Sequence, residues 1–340
     1  MFDYVIVGAG VYGAATAWNL ARAGASVCVV DEGEVAGRAS GGPGRRGVRA
    51  NGRDRAELPL MQIAYDVWPA LHEELGSEPF YQRTVQLLLV ENETDYARAR
   101  AQVWSQRQQG IECELLNATA TRELEPNVAD TIQGAIYCPL DGVADHGATT
   151  RAYAAAAKKL GVTFRLGTRV SKINETAGRA SGVTTDDGES ITASQGVLVL
   201  ANSAVPNLLA SRLQLPIWNT CLQVIVSRPL ANNVFSHLVG HMSRTVSLKP
   251  EGGNRVMISG GWRGAWDHTT ATGKTVDAAV RGNVAEAIAV FPDLRDLKVE
   301  VSDANHLESF SVDGIPIIDT APDAPNMWYA TRWCGHGWAI

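Results

Sequence analysis

Tyr4-Val-Ile-Val-Gly-Ala-Gly-Val-Tyr-Gly13 opens the segment that decides the fold. Residues 4–9 form a short apolar run suited to a buried strand, and residues 13–23 carry small and apolar side chains at helical spacing. Gly24 supplies a helix stop, and Ala25-Ser-Val-Cys-Val-Val30 is a second buried strand that ends at Asp31. Strand, helix and strand in this order make a βαβ unit whose strands run parallel. Gly8, Gly10 and Gly13 fall between the first strand and the helix, spaced as GxGxxG. The first permits a tight turn, the second lets backbone amides approach a pyrophosphate, and the third lets the helix pack on the strand. The helix N-terminus then faces the phosphates, and Asp31 is placed to accept hydrogen bonds from an adenosine ribose. The unit predicts a dinucleotide site.

Outward from it, residues 36–52 are rich in Gly, Arg and Ser with Pro43 near the middle, which predicts a functional loop without helix or strand. Helical spacing runs over 58–75 to a stop at Gly76, and a polar surface helix is expected over 95–109, closed by Gly110. A further helix is expected over 149–159, with strands over 86–90 and 162–166. Gly188 marks a hairpin turn between strands near 179–186 and 189–193, and residues 196–201 look like another buried parallel strand. From about 214 to 304 the strands alternate more clearly, as in 221–228 and Arg255–Ser259, which suits a half-exposed antiparallel sheet. The fold class is therefore α/β, a Rossmann-type domain interleaved with an α+β domain built on a largely antiparallel sheet. Residues 1–80, 141–212 and 305–340 are assigned to the first domain, and 81–140 and 213–304 to the second.

A length of 340 residues suits two domains and a large core. With 45 % hydrophobic and 19 % charged residues and a net charge of -6, no basic excess favours nucleic acid. The five cysteines, Cys28, Cys113, Cys138, Cys221 and Cys334, are scattered without CxxC or metal-ligand spacing and read as reduced thiols, so no metal site is expected. The N-terminus lacks a signal-peptide pattern and no run is long enough for a membrane span, so the expected compartment is the cytoplasm.

Four stretches together carry a family resemblance: Gly8–Gly13 with Asp31; Ala39-Ser40-Gly41-Gly42 through Gly47-Val48-Arg49; Leu198-Val-Leu-Ala-Asn202; and Asp313-Gly-Ile-Pro316 followed by Gly335-His336-Gly337. The chain resembles the D-amino acid oxidase-like superfamily of flavoproteins, in particular the branch of glycine oxidase, sarcosine oxidase and the flavin subunits of opine and hydroxyproline dehydrogenases. The resemblance covers nearly the whole chain and implies non-covalently bound FAD in the Rossmann-type domain and a substrate domain beside it. By this likeness Ser40, Gly41 and Gly42 run past the pyrophosphate and ribityl chain. Val170 reads the adenine edge through its backbone, although a valine there is equally well plain core. Ala201 and Asp313 belong to further cofactor segments, and backbone amides of Gly335, His336 and Gly337 stabilise charge at the pyrimidine edge of reduced flavin.

Departures from the family pattern shape the expected chemistry. Ser203 stands where relatives usually have Gly. Glu308 stands where glycine oxidase-like members carry a carboxylate-binding Arg, as in heteromeric opine-type subunits. His306 stands where monomeric sarcosine oxidases attach flavin through Cys, and the strand Arg255-Val-Met-Ile-Ser-Gly-Gly261 lacks the Lys those enzymes use toward oxygen. Family members continue past Gly-His-Gly into a helix, whereas this sequence stops at Ile340, so either it is a piece of a longer chain or the site is incomplete. The resemblance implies oxidation of the C–N bond of a small amino acid or secondary amine by hydride transfer to flavin N5, giving an imine that hydrolyses. Oxygen, a quinone or a partner subunit would take the electrons, in a homo- or hetero-oligomer. Arg49 is the first candidate for the substrate carboxylate and Arg332 the second, since guanidinium binds carboxylates bidentately; a solvated loop charge competes as the reading of each. Glu308 is a candidate partner for a substrate ammonium, for His306 or for an arginine. Two alternatives stand beside this reading: an FAD-dependent 2-hydroxy acid or glycerol-phosphate dehydrogenase, and a partner-dependent or non-catalytic flavoprotein subunit.

Overall fold

The computed structural model describes every residue except Pro43, which lies outside the described residues. Strand β1 (Phe2–Val7), helix α1 (Val11–Arg22) and strand β2 (Val27–Val30) form the expected βαβ unit, with Tyr4 opposite Val27 and Val7 opposite Val30 in parallel register. Val5, Ile6 and all four residues of β2 are buried because both sheet faces are covered. Helix α1 turns Ala14, Ala17 and Trp18 inward and packs on helix His146–Lys159, whose Ala152, Ala156 and Ala157 join the same apolar cluster. Small side chains on both helices permit this close approach.

Five parallel strands make the centre of the first sheet in the order Ala324–Thr331, Ser190–Val199, β1, β2, Thr163–Arg165. The parallel strand expected at 196–201 is the second half of Ser190–Val199, which pairs with β1, while the first half pairs antiparallel with Arg179–Thr185. A second eight-stranded sheet joins strands from two separated stretches, in the order Val299–Asp303, Val224–Ser227, Arg255–Ser259, Ser247–Glu251, Leu238–His241, Gln86–Val90, Gly134–Cys138, Glu114–Asn117. Every pairing in it is antiparallel except Leu238–His241 with Gln86–Val90. Leu87, Ile225, Val239, Leu248 and Ile258 pack with Phe291 at the end of helix Asp277–Val290. Strand alternation turns Val224, Met257 and Lys249 away from that core.

Four expectations need correction. Residues 36–52 contain a strand, Arg45–Val48, which pairs with Gly142–Asp145, itself paired with Tyr81–Gln82. Its Arg-Arg-Gly-Val composition carries no strand signal, because the pairing is tertiary. Residues 58–75 split into Leu58–Val67 and Leu71–Leu75 around Pro69, which lacks an N–H and crowds the carbonyl four residues back. The helix expected at 95–109 is Glu93–Gln108, capped by Asn92, and it buries Asp95, Ala99, Val103 and Gln106 along one face. Residues 221–228 divide into Ile217–Cys221 and Val224–Ser227, with Leu222 and Gln223 turned toward a large cavity. Among the described residues no helix is long and apolar enough to cross a membrane.

Gly8 has φ +114°, and a Cβ on Gly13 would lie 1.8 Å from the Gly8 carbonyl oxygen. Gly13→Ala must therefore push α1 off β1, and overpacking of this kind costs about 3 kcal/mol. Urea unfolding should show a lowered midpoint at unchanged slope; an unchanged midpoint would refute the close approach.

Candidate active site

A cavity of about 1110 Å³ runs between the two large sheets. One end is framed by Asp31, Thr168, Arg169 and Val170, its middle by Gly8, Gly10, Tyr12 and residues 36–41, and it reaches Ser247, Lys249 and Ser259 on the second sheet. Helix α1 has no side-chain cap at Gly10, and a Cβ placed there would meet nothing within 4 Å. Unsatisfied first-turn amides therefore open on free space, the arrangement that receives a phosphate. The Asp31 carboxylate accepts from Ala9 N at 2.6 Å and Gly33 N at 2.7 Å, so it also clamps the glycine turn. Arg38 pairs with Glu32, and Arg169 lies 3.6 Å from Glu32 and 3.8 Å from Asp186, so the arginines at this end are already matched by acids.

Loop 36–42 is held from two sides. Arg46 donates from Nη2 to the carbonyls of Gly41 and Gly42, and to Ser40 O at 3.4 Å. Ser40 Oγ donates to Glu308, whose other oxygen accepts from Asn202 Nδ2 at 3.3 Å and Ser309 N at 3.2 Å. Burial pushes the Glu308 carboxyl above the usual range while these hydrogen bonds oppose the shift. Tyr12 stacks on Trp333 at 3.6 Å between ring centroids. Its Oη and the indole N–H of Trp338 are buried without a protein partner, and both residues line the cavity. A polar ligand along this wall would satisfy them.

Gly335, His336 and Gly337 also line the cavity. Arg53 ties their turn to the strand end, donating from Nε to Arg49 O at 2.6 Å and from Nη2 to His336 O at 2.5 Å, while Nη1 pairs with Glu57 at 3.0 Å. Burial lowers the His336 pKa, which favours its neutral form, although Glu57 at 3.3 Å pulls the other way. Burial likewise lowers the His306 pKa.

Of the candidate residues, Gly8, Gly10, Asp31, Ser40, Gly41, Val170, Ala201, Gly335, His336 and Gly337 line the cavity, as do Arg49, His306 and Glu308. Gly13 acts one step back, against Gly8. Three placements differ from expectation. Gly42 turns away, with a Cβ there meeting the Asp303 side chain at 2.7 Å. Arg332 and Asp313 lie off the cavity and pair with each other, the Asp313 carboxylate also accepting from Ser311 Oγ at 2.7 Å and Ile315 N at 3.1 Å. Their ion pair holds the turn at 311–315, while Arg332 Nε stays buried without a protein partner. Tyr12, Arg46, Arg53 and Lys249 join the site without having stood out in the sequence. Lys249 alone left a trace, since Ser247, Lys249 and Glu251 alternate with Leu248 and Pro250.

Comparison with known proteins agrees with this geometry. The family described as "FAD dependent oxidoreductase" matches residues 3–340, and the chain belongs to it. FAD is therefore the cofactor, and the glycine turn, Asp31, the Ser40–Gly41 loop and the Gly335–Gly337 turn are where the observed open amides and orphaned polar atoms would hold it. The chain is 25 % identical to glycine oxidase of Geobacillus kaustophilus over 97 % of its own length and 87 % of the relative's. It is 27 % identical to an opine oxidase subunit of Rhizobium meliloti over 96 % of its length and 87 % of that protein's. The solved structure of L-proline dehydrogenase from P. horikoshii shares the fold with a TM-score of 0.89 at 20 % identity, covering 99 % of this chain and 89 % of that one.

Two measurements follow. Glu308→Ala should release Ser40 and Asn202 and weaken FAD retention about tenfold, with Glu308→Gln close to wild type, read by flavin fluorescence on dilution; equal retention in all three proteins would remove Glu308 from loop positioning. Burial and nearby Arg46 push His146 from 6.5 down to about 4. The unfolded chain then takes up this proton at higher pH than the folded chain, so stability falls as pH drops from 6.5 to 4. Asp141, pushed up to about 6, acts in the opposite sense and is common to both proteins compared. His146→Gln apoprotein should therefore lose about 3 kcal/mol less than wild type between pH 7 and 4 in denaturant titrations; parallel curves would contradict a buried neutral His146.

Proposed function

We propose that this enzyme oxidises the C–N bond of a small amino acid or secondary amine, delivering a hydride to FAD and releasing an imine that water hydrolyses. The two sheets then divide the work. Residues 1–80, 141–212 and 305–340 form the cofactor part, and 81–140 with 213–304 the substrate part. The observation that carries the reading is Arg49. Its guanidinium follows strand Arg45–Val48 into the cavity wall, next to the Gly335–Gly337 turn through Arg53. One Nη donates to the Asn51 carbonyl, which leaves N–H donors for a ligand. Burial lowers the Arg49 pKa to about 10, so the group stays cationic at neutral pH.

A carboxylate on Arg49 would orient the α-carbon, and orientation supplies much of the rate in such a reaction. Bound FAD supplies the two-electron acceptor. The protein's own task is to admit the substrate with a neutral nitrogen, whose lone pair forms the C=N bond as hydride leaves the carbon. Similarity to proteins named as a glycine oxidase and an opine oxidase supports an amine as substrate. Glu308 accepts from Ser40, Asn202 and Ser309 N, so about three of its four acceptor sites serve the loop and its neighbours rather than a substrate ammonium.

The test is anaerobic bleaching of the bound flavin by glycine, sarcosine, proline, D-amino acids, opines and 2-hydroxy acids. Bleaching by amines alone is expected. Arg49→Met should raise the KM of whichever carboxylated amine works by about a hundredfold. Bleaching by hydroxy acids alone would transfer the site to that substrate class, and an unchanged KM would remove Arg49 from carboxylate binding.

A further inference from the structure

The second sheet presents a cation to the cavity that the reaction above does not use. Lys249, on strand Ser247–Glu251, is 6 % exposed. Its Nζ donates to Ser247 Oγ at 3.2 Å and to Ser259 Oγ at 3.0 Å, and both serines line the same cavity. An ammonium has three donors, so two bonds to neutral hydroxyls leave one to place. Among the described residues no carboxylate comes within ion-pair distance of it, and Glu251 acts only from further away.

Charge makes the position more unusual. Burial lowers the Lys249 amine to about 7, and the nearby Arg46 and Arg49 add to the shift, so near neutral pH an anion bound beside it would favour the ammonium form. A methionine would fill the same space beside Met257 without bringing a charge into the interior. Packing therefore does not account for the residue, whereas an anion between Lys249 and the cavity would. Arg49 follows strand Arg45–Val48 and Lys249 stands on the second sheet, so the two cations reach the cavity wall from different elements.

We infer that Lys249, with Ser247 and Ser259, forms a second anion subsite, and that the substrates are amino acids or secondary amines bearing two carboxylates, one on Arg49 and the other on Lys249. The inference rests on the amine-oxidising reading for the first carboxylate and adds the substrate class. Discrimination follows from the chemistry: a buried ammonium matched by an anion favours the dianionic substrate over its monocarboxylate analogue, which leaves the charge unmatched.

The experiment compares N-(carboxymethyl)glycine with sarcosine, which differ at one end by a carboxylate, on the FAD-loaded enzyme. Wild type should prefer the dicarboxylate in kcat/KM by about tenfold or more, and Lys249→Met should lose about thirtyfold on it while sarcosine stays within about threefold. Lys249→Arg keeps the charge and should keep the preference, which separates loss of the subsite from loss of folding. A wild-type preference for sarcosine, or equal losses on both substrates in Lys249→Met, overturns the subsite. If no amine bleaches the wild-type flavin, the amine reading fails by itself, and the subsite is then judged by binding. Titration with succinate, glutarate and acetate, followed by the flavin absorbance, should show dicarboxylates binding about thirtyfold more weakly to Lys249→Met with acetate unchanged; equal binding overturns it.

Discussion

The approach of Gly13 to the Gly8 carbonyl is the constraint on which the site depends. It brings the first turn of α1 against the end of β1, so the unsatisfied amides of that turn open at the carboxyl edge of the parallel sheet. Asp31 then performs two tasks from one position. By ending β2 it stands at the cavity rim, and by accepting from Ala9 N and Gly33 N it holds the glycine turn in register with the second strand. A side chain on Gly13 would separate helix from strand and disturb the amides and the acid together.

Two of the smaller sheets hold the cavity loop through polar bonds, one with strand Arg45–Val48 and the other with strand Leu307–Ser311. Arg46 gathers three successive carbonyls of the loop, and Glu308 reaches across to Ser40 and Asn202. Buried carboxyls and guanidinium groups are costly unless their donors and acceptors are met. That expense selects one loop conformation among the many a Gly-rich segment can reach, and it explains why a segment so irregular in composition contains a strand.

Legibility in the sequence follows the range of the interactions. The βαβ unit rests on contacts within about thirty residues, and the glycines, the acid and the buried runs are all readable there. Arg45–Val48 is not, since its partner strand lies nearly a hundred residues away. Among site residues, those on backbone motifs fall where the motifs put them, with Gly42 turned aside by Asp303. Arg332 lies off the cavity and pairs with Asp313, a contact the sequence does not announce because Asp313 itself resembles a cofactor residue. Lys249 escapes notice because its meaning depends on there being no acid within ion-pair distance among the described residues, which only three-dimensional neighbours reveal.

The distribution of charge along the cavity links these observations. At the glycine turn, where phosphates would sit, the structure relies on backbone amides and a helix terminus, while the arginines nearby are committed to Glu32 and Asp186. The cations that burial makes expensive, Arg46, Arg49 and Lys249, belong instead to strand Arg45–Val48, the residue after it and the second sheet. Burial, and after it repulsion from Arg46 and Arg49, lowers the Lys249 pKa. One of them, Arg46, spends donors on loop carbonyls, whereas Arg49 and Lys249 retain donors facing the cavity. A cofactor whose phosphates are met elsewhere leaves these two groups to the substrate, and that is the ground for the second anion subsite inferred above.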